Sequence, residues 1–405
     1  MQVDILEKAK KILKEPVCDN CLGRQFGQLL SGYDNTQRGK MLRTIVAMSA
    51  DEEKGKSDLE MRNFSDYKFH NLVEGAAEKK KCSVCDGFFS EIEKYAGKII
   101  KKAGKIDFFT FLIGTRLSHF LSEKEEKLWE RVGIDYCEPL KAEINREIGK
   151  ILEKKLGKKF NPKNPDVSFI IDIENKKALI EINPLFIYGE YQKLVRGIPQ
   201  TKWPGRKYRT SVEQIIAKPL MAASLGKTHK FHGLGREDID ARCLGWRPFV
   251  LEIAKPKKRN IYLKKLAKKI DKRVKVRAIR FSNTNEVVAV KEKKSDKTYR
   301  ALVVCEEKIN KNEIKKLKNL IGEIRQRTPE RVLHRRANKT RKRKVKEIKA
   351  VKKGKKMFLL TVRCEGGLYV KELISGDSGR TQPSVSSILN KQCRCKELDV
   401  INIHV

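Results

Sequence analysis

Apolar residues recur at helical spacing in the first part of the chain. The apolar side chains of the first such segment, residues 1–15, are Val3, Leu6, Ile12 and Leu13. Pro16 ends this predicted helix, because proline lacks the amide hydrogen that a continuing helix needs. Residues 25–48 favour a largely helical segment broken by a Gly-Tyr-Asp-Asn turn, and a short helix is expected before Cys82.

From residue 106 strands and helices follow one another. The sequence DFFTFLIGT, residues 107–115, predicts a strand, and residues 123–131 and 141–157 predict helices. Residues 166–183 predict a hairpin that turns at the polar run 174–177. A strand, two helices and a hairpin form an α/β unit.

The second half of the chain is richer in predicted strands. These are residues 249–253, 274–282, 286–290 and 297–303, and a strand that ends at Gly366-Gly367 before a helix near Tyr369. Residues 211–225 predict a helix with a kink or restart at Pro219, and residues 257–273 predict a very basic amphipathic helix. Residues 186–209 mix cations with aromatic side chains and predict a mobile loop that stacks on unpaired bases; an ordinary exposed linker is the alternative.

The net charge of the chain indicates which class of molecule it binds. The 405 residues include 91 Lys and Arg against 51 Asp and Glu, a formal charge of +40, which favours a polyanion such as nucleic acid. Residues 323–345 concentrate this charge and predict a phosphate-binding arm, with a solvated, disordered segment as the alternative. No stretch of about 18 apolar residues is present, so we expect no membrane association and a cytoplasmic protein.

Four of the ten cysteines form two CxxC pairs, Cys18/Cys21 and Cys82/Cys85, each in a turn-like context. Two such turns present the four thiolates that a tetrahedral structural zinc site requires, and leave no open position for catalysis. A redox pair or unpaired thiols are the alternatives. Residues 1–95 are therefore predicted to form a small four-cysteine zinc module, because so few large apolar groups give marginal stability without a metal.

Three later segments combine polar groups with rigid strands. The loop GREDID, which contains Arg236, Asp238 and Asp240, precedes the strand at 249–253, and on composition alone it is an ordinary solvated turn. Tyr299 lies in the alternating strand KTYRALV, where a tyrosine is usually part of the core. The third segment, GGLYVKELISGDSG, is otherwise an unremarkable strand, turn and helix.

These segments carry a resemblance. Arg236-Glu237-Asp238 resembles the catalytic aspartate motif of pseudouridine synthases, KTYRA resembles their second motif, and GGLYVKELISGDSG resembles the third motif of the TruB branch. The α/β unit, predicted as residues 96–195, resembles the RNA-binding THUMP domain. In this order, the segments are similar to the archaeal and eukaryotic tRNA pseudouridine synthases of the Pus-ten family.

The resemblance implies an α+β catalytic domain, residues 196–405, with a mixed and largely antiparallel sheet. It implies an aspartate nucleophile at Asp238, a stacking tyrosine at Tyr299 and a cation paired with the aspartate at Lys371, where many synthases have arginine. Asp240 is the rival carboxylate. The implied substrate-binding residues are Arg236, Tyr299, Tyr369 and Leu373, the last packing beneath the base.

The resemblance further implies isomerisation of T-arm uridines 54 and 55 of tRNA without a catalytic cofactor, and we expect a monomer. A silent tRNA-binding protein is one alternative, for which charge and zinc would suffice. A THUMP-containing methyltransferase or thiolase is another, but Gly233-Leu234-Gly235 lacks the third glycine and the following helix of a dinucleotide-binding loop.

Overall fold

The computed structural model describes residues 4–53, 57–72, 80–205 and 207–405. The chain divides into two compact units, Met1–Asn183 and Pro184–Val405. The first three residues of the predicted N-terminal helix and most of the segment before Cys82 lie outside the described residues. Within the described part of the chain, no helix combines the length and apolar character needed to cross a membrane.

The first unit begins with helices and continues as an α/β sheet. Its elements are α1 (Ile5–Ile12), α2 (Asp19–Gly23), α3 (Asn35–Glu52), α4 (Ile92–Ala103), β1 (Thr110–Arg116), α5 (His119–Val132), α6 (Leu140–Leu156), β2 (Lys159–Phe160), β3 (Val167–Asp172) and β4 (Lys177–Ile182). The sheet order is β2-β1-β3-β4. β1 pairs in parallel with β2 and β3, and the predicted hairpin is the antiparallel pair β3–β4.

One hydrophobic core serves this whole unit. Buried side chains alternate along β3, as the sequence predicts for a strand with one face covered. Ile12 from α1, Ile99 from α4, Ile144 from α6 and Phe169 from β3 are fully buried in the same apolar cluster. The cysteine-containing part and the α/β part therefore pack together. Their shared core is continuous across the boundary that the sequence suggests between residues 95 and 96.

The second unit is built on a ten-stranded sheet. Its elements are β5 (Leu185–Lys193), α7 (Val212–Ser224), β6 (Thr228–Gly233), β7 (Arg242–Ala254), α8 (Leu263–Ala267), β8 (Val274–Ser282), α9 (Thr284–Glu292), β9 (Asp296–Cys305), α10 (Lys311–Lys316), β10 (Gly322–Arg327), β11 (Thr340–Lys352), β12 (Met357–Cys364), α11 (Val370–Ser375), β13 (Thr381–Gln382), α12 (Val385–Leu389) and β14 (Cys393–His404).

The strand order is β13-β10-β11-β12-β9-β14-β7-β5-β8, and β6 pairs with β7. Among these described strands β14 and β7 run parallel, whereas the other pairings are antiparallel. This is the mixed, largely antiparallel sheet of the predicted α+β class. Tyr299 lies in β9, between β12 and β14, so its backbone is fixed on both sides.

The first part of residues 186–209 is not a mobile loop. β5 occupies an interior position of the sheet, with β7 on one side and β8 on the other. Its buried and half-buried positions alternate strictly, and Tyr191 and Lys193 are on the buried side. The tyrosines of this segment therefore contribute to the core, and the compact unit begins at residue 184, before the 195/196 boundary suggested by the sequence.

Three other predicted elements differ from the structure. The basic helix at 257–273 shrinks to α8, since its crowded like charges disfavour a long helix. The predicted strand at 286–290 is inside α9, which Asn283 starts by accepting a hydrogen bond from the Glu286 amide. The predicted arm at 323–345 is ordered: it comprises β10, a short 3-10 helix at Glu330–Arg335 and the first half of β11.

Candidate active site

The acidic loop lies between the end of β6 and the start of β7 and covers residues 234–241. Leu234 is buried and anchors its beginning, whereas Gly235 has a φ of +67°, a left-handed conformation that side chains with a Cβ resist. The amide of Ala241 donates to the carbonyl of Asp238 at 3.1 Å and closes a turn. The loop thus turns sharply and presents Asp238 at its tip.

A buried acid supports this loop from inside the sheet. The side chain of Glu237 has no exposed surface, and its Oε2 lies 3.1 Å from Arg247 Nε in β7. The same oxygen accepts the Tyr191 hydroxyl at 3.0 Å, and Oε1 lies 3.7 Å from Lys193 Nζ. Burial lowers the pKa of Lys193, although the nearby charge of Glu237 opposes the shift. The loop therefore carries one buried acid between two buried cations.

The same buried side chains bind the loop's carbonyl oxygens. Lys193 Nζ donates to the carbonyl of Asp238 at 3.0 Å and to that of Ile239 at 3.2 Å. Gln200 donates to the carbonyl of Gly235 at 2.9 Å, and Arg247 donates to that of Leu234 at 2.7 Å. Lys193 and Arg247 are fully buried, so the loop carbonyls that they bind point into the interior and are fixed there, and the backbone around Asp238 is rigid.

Two cations flank the Asp238 carboxylate. Lys371 Nζ and Arg331 Nη2 each lie 3.3 Å from Asp238 Oδ2. Each cation is also bound by another acid at shorter range: Lys371 by both Asp240 oxygens at 2.7 and 2.8 Å, and Arg331 Nε by Glu372 at 2.6 Å. Lys371 is therefore shared between the two rival aspartates, and its shorter contacts are to Asp240.

The pKa shifts follow from these contacts. Burial alone would lower the pKa of Lys371, but its hydrogen bond to Asp240 and the charge of Asp238 raise it. Burial would raise the pKa of Asp240, and the hydrogen bond from Lys371 lowers it instead. Desolvation would lower the pKa of Arg331, but its bond to Glu372 and the charges of Asp238, Glu372 and Asp240 together raise it. Both cations therefore remain charged beside Asp238.

A cavity of about 550 Å³ opens over this loop. Its lining is Gly235, Arg236, Glu237, Asp238, Ala241, Lys297, Tyr299, Arg331, Val332, Arg336, Gly367, Leu368, Tyr369, Val370, Lys371, Leu398 and Val400. The volume is within the range of about 300–1,000 Å³ that is typical of small-ligand sites. Asp238, Tyr299 and Lys371, which are far apart along the chain, thus face one cavity.

Not all of the other predicted substrate-binding residues line the cavity. Arg236 is exposed and lines the cavity, as does Tyr369, whose amide donates to Gln326 Oε1 at 2.9 Å and whose carbonyl accepts from Gln326 Nε2 at 2.9 Å. Leu373 is fully buried in the core of this unit and does not line the cavity as described. Leu368 and Val370, which come just before it in the chain, contribute to the apolar lining together with Val332, Leu398 and Val400.

The four predicted metal ligands of the first unit also converge. The Sγ atoms of Cys18, Cys21, Cys82 and Cys85 all lie within 4.8 Å of one another. Cys18 Sγ and Cys85 Sγ, which come from different CxxC turns, are 3.7 Å apart. A tetrahedral site with bonds of about 2.3 Å places its sulfurs about 3.8 Å apart, so this cluster could bind a metal ion.

Models of known protein families match parts of both units of the chain. The family model "Pus10, C-terminal" matches residues 186–404, more than half of the chain, and "Pus10 THUMP domain, archaeal" matches residues 95–172. The chain belongs to the Pus10 family.

Relatives in the Pus10 family match almost the full chain. The tRNA pseudouridine synthase Pus10 of Methanothrix thermoacetophila is 39% identical over 99% of this chain and 94% of its own. That of Methanocaldococcus jannaschii is 44% identical over 97% of this chain and 93% of its own. A solved Cbf5-Nop10-Gar1 complex is similar over 52% of this chain and 47% of its own, at 18% identity and a TM-score of 0.32, which adds nothing to the family membership.

Several site residues of this Pus10 family member were missed by sequence reasoning. Arg331 belongs to the segment predicted as a phosphate-binding arm and not to the predicted catalytic residues, and the sequence does not reveal Glu237, Lys193 and Arg247 as a buried network. One pattern could have revealed Lys193: it occupies an inward position of the alternating strand β5, where a charge needs a partner. The contact of Arg331 with Asp238 spans 93 residues, and no local pattern predicts it.

Proposed function

We propose that this chain is a tRNA pseudouridine synthase that converts the adjacent T-arm uridines 54 and 55 to pseudouridine, with Asp238 as the nucleophile. The observation that carries this proposal is the position of the Asp238 carboxylate, in one cavity with Tyr299 and between two cations. Asp240 does not line that cavity in the described structure, and 69% of its side chain is exposed, against 36% for Asp238. The geometry therefore favours Asp238 over its rival.

The reaction is an isomerisation that balances without a co-reactant. The bond between N1 and C1′ breaks, and its electron pair stays on the uracil. Asp238 either forms a bond to C1′ or assists loss of the 2′ proton to give a glycal. The uracil turns and C5 bonds to C1′. As this bond forms, the bond from Asp238 to C1′ breaks on the first route, and C2′ regains its proton from Asp238 on the glycal route. The C5 proton then leaves while N1 gains one. No electrons enter or leave, so no catalytic cofactor is needed.

The flanking cations prepare Asp238 for this role. A carboxylate attacks carbon only when ionised, and nearby positive charge favours ionisation. Lys371 is the family's basic partner and Arg331 provides a second positive charge, each 3.3 Å from the carboxylate. Because other acids hold both cations at shorter distances, neither is free to bind Asp238 tightly and block its attack.

The remaining contacts recognise the extruded nucleotide. A base in a helical stack cannot reach Asp238, so the enzyme extrudes it at a cost of a few kcal/mol. Tyr299 stacks on the uracil. Burial raises its pKa and so keeps the phenol neutral, which means that Tyr299 takes the C5 proton only as its own hydroxyl proton leaves. Tyr369 and the exposed Arg236 contact the displaced RNA. Leu373 supports the base only indirectly, through the turn that carries Leu368 and Val370.

The first unit serves tRNA binding in this proposal. Cys18, Cys21, Cys82 and Cys85 hold a structural zinc ion, since four sulfur donors fill its tetrahedral shell. The region before residue 95 forms the zinc module, and the THUMP region that follows contacts the tRNA. A tRNA substrate also implies a cytoplasmic protein, and we propose that one copy of the chain is sufficient for catalysis.

The test uses tRNA transcripts labelled with tritium at uridine C5, because the reaction releases this hydrogen to water. Asp238→Asn and Asp238→Ala should abolish release, whereas Asp240→Asn should keep it within about tenfold of the wild-type rate. Transcripts with cytidine at position 54 or 55 show which uridine is converted. Loss of activity in the Asp240 variant together with retention in both Asp238 variants contradicts the assignment of the nucleophile.

A further inference from the structure

Lys297 faces the cavity from the same strand as Tyr299. The two residues are two positions apart in β9, so their side chains project to the same side of the sheet. A Cβ at position 235 would lie 3.2 Å from Lys297 Nζ, and a Cβ at position 366 would lie 3.7 Å from it. The amine therefore lies between the acidic loop and the Gly366-Gly367 turn, at the edge of the proposed catalytic pocket.

This amine differs from the other cations of the cavity. Lys371 and Arg331 are each bound by acids, and Arg236 and Arg336 are exposed to solvent, whereas Lys297 is largely buried. Within the ranges that the structure describes, no carboxylate or carbonyl accepts a hydrogen bond from Lys297 Nζ. Burial, reinforced by the positive charge of Arg247, lowers the pKa of Lys297 to about 8. A largely buried cation without a partner is costly, so its retention in a ligand cavity indicates a role with the ligand.

The chemistry of the site lacks one group that Lys297 could supply. When the bond between N1 and C1′ breaks, its electron pair stays on the uracil. The uracil is then an anion whose charge is shared by N1, O2 and O4. Asp238 cannot stabilise this anion because it is itself an acid. Lys371 and Arg331 are bound to Asp240 and Glu372 respectively. A free donor is therefore needed on another side of the base.

We propose that Lys297 is a catalytic residue that donates a hydrogen bond from its ammonium group to a carbonyl oxygen of the extruded uracil and stabilises the uracil anion after glycosidic cleavage. The lysine keeps its proton throughout, so the balance of the isomerisation is unchanged. This inference rests on the proposed pseudouridine synthase activity. It gives a role to Lys297, to which the motif resemblance assigns none.

The test is single-turnover isomerisation of tRNA by the full chain, with tRNA affinity measured separately. Lys297→Met keeps the length of the side chain and removes its charge. Loss of one preorganised donor to a developing anion slows catalysis by about 100-fold, so the isomerisation rate should fall by this factor while the Kd for tRNA changes by less than about threefold. Lys294→Met, an exposed lysine of the same segment, is the matched control and should leave both values unchanged.

A pH profile provides a second measurement that does not depend on folding of the variant. The wild-type rate should decline above pH 8, as Lys297 loses its proton. The other groups that face it are Arg247 and Cys243 from β7, Cys364 from β12, and Glu237 and Asp238 from the loop. Burial raises the pKa of Cys243 to about 11 and of Cys364 to about 12, so neither thiol titrates near pH 8.

The pH profile of Lys297→Arg distinguishes titration of Lys297 from titration of the RNA. Arginine keeps its charge, so the activity of this variant should persist above pH 8. A Lys297→Met rate within threefold of wild type, a defect confined to tRNA affinity, or a wild-type rate that stays flat to pH 9.5 overturns the proposal. If wild-type protein forms no pseudouridine at all, the proposed function fails instead, so the two failures are distinct.

Discussion

Replacement of Glu237 by glutamine tests whether the buried network supports the Asp238 loop. Glutamine keeps the shape of the side chain and can still bond to the Tyr191 hydroxyl, but it removes the negative charge. Two cations with no exposed surface, Lys193 at 3.7 Å and Arg247 at 3.1 Å, then lose their buried counter-charge. Breaking a buried ion pair by removing one partner costs about 3–5 kcal/mol.

The part of this loss of stability that comes from Lys193 has an upper limit, because this residue can give up its proton. Deprotonation costs about 1.36 kcal/mol for each pH unit below the ordinary lysine pKa, which is about 4.6 kcal/mol at pH 7 and about 1.9 kcal/mol at pH 9. In the variant the folded protein binds this proton less strongly than the unfolded chain does. Stability therefore rises with pH, and the destabilisation by Glu237→Gln should shrink between pH 7 and pH 9.

Hydrogen exchange of β7 peptides, read by mass spectrometry at both pH values, measures the opening free energy of the sheet that carries the loop. In thermal unfolding, a loss of 3–5 kcal/mol lowers the Tm of a unit of this size by about 6–20 °C. Glu307→Gln, an exposed acid after β9, should change stability by less than about 0.5 kcal/mol. A Glu237→Gln loss below about 1 kcal/mol at pH 7, or a loss that grows with pH, refutes the reasoning.

Three further predictions concern the metal cluster, a buried acid and the second cation. Cys21→Ser or chelation should remove the bound metal, measured by elemental analysis, and should speed hydrogen exchange in α2. Burial raises the pKa of Glu143 to about 7, so its stabilising neutral form is fully present below pH 4.5 and is lost as the pH rises through 7; Glu143→Gln should remove this decline of about 3 kcal/mol in urea titrations. Arg331→Ala should slow isomerisation about 10–100-fold, with partial recovery in Arg331→Lys, in the tritium-release assay.

Local patterns were sufficient for much of the fold. Local patterns predicted β8 to the residue and the hairpin β3–β4 within one residue at each end, whereas β1 starts three residues later than predicted. The turn at Gly366-Gly367 and the helix predicted near Tyr369 were also confirmed; the helix begins at Val370. The predicted cavity segments meet because they lie on or next to β9, β12 and β7, which are near one another in a single sheet. Motif order alone could indicate this only through a resemblance.

The failures have a common physical cause. α9 has strand-forming valines, but the Asn283 cap and the burial of Val287 and Val290 on one face determine a helix. β5 contains aromatic residues that suit RNA stacking, yet pairing with two neighbouring strands buries them. In both cases long-range packing or a single capping bond outweighs the local preference of the residues.

The arrangement of charge around the cavity is compatible with the proposed role of Asp238 as a nucleophile in a chain with so many cations. Free lysines and arginines would bind Asp238 closely and would lower its reactivity as a nucleophile. Asp240 and Glu372 hold the two adjacent cations at 2.6 to 2.8 Å, while both cations remain 3.3 Å from Asp238. The carboxylate thus lies beside two positive charges without a short hydrogen bond that the proposed attack would have to break. On this reasoning Asp240 is an acid that positions Lys371, and its proximity to Asp238 reflects that task.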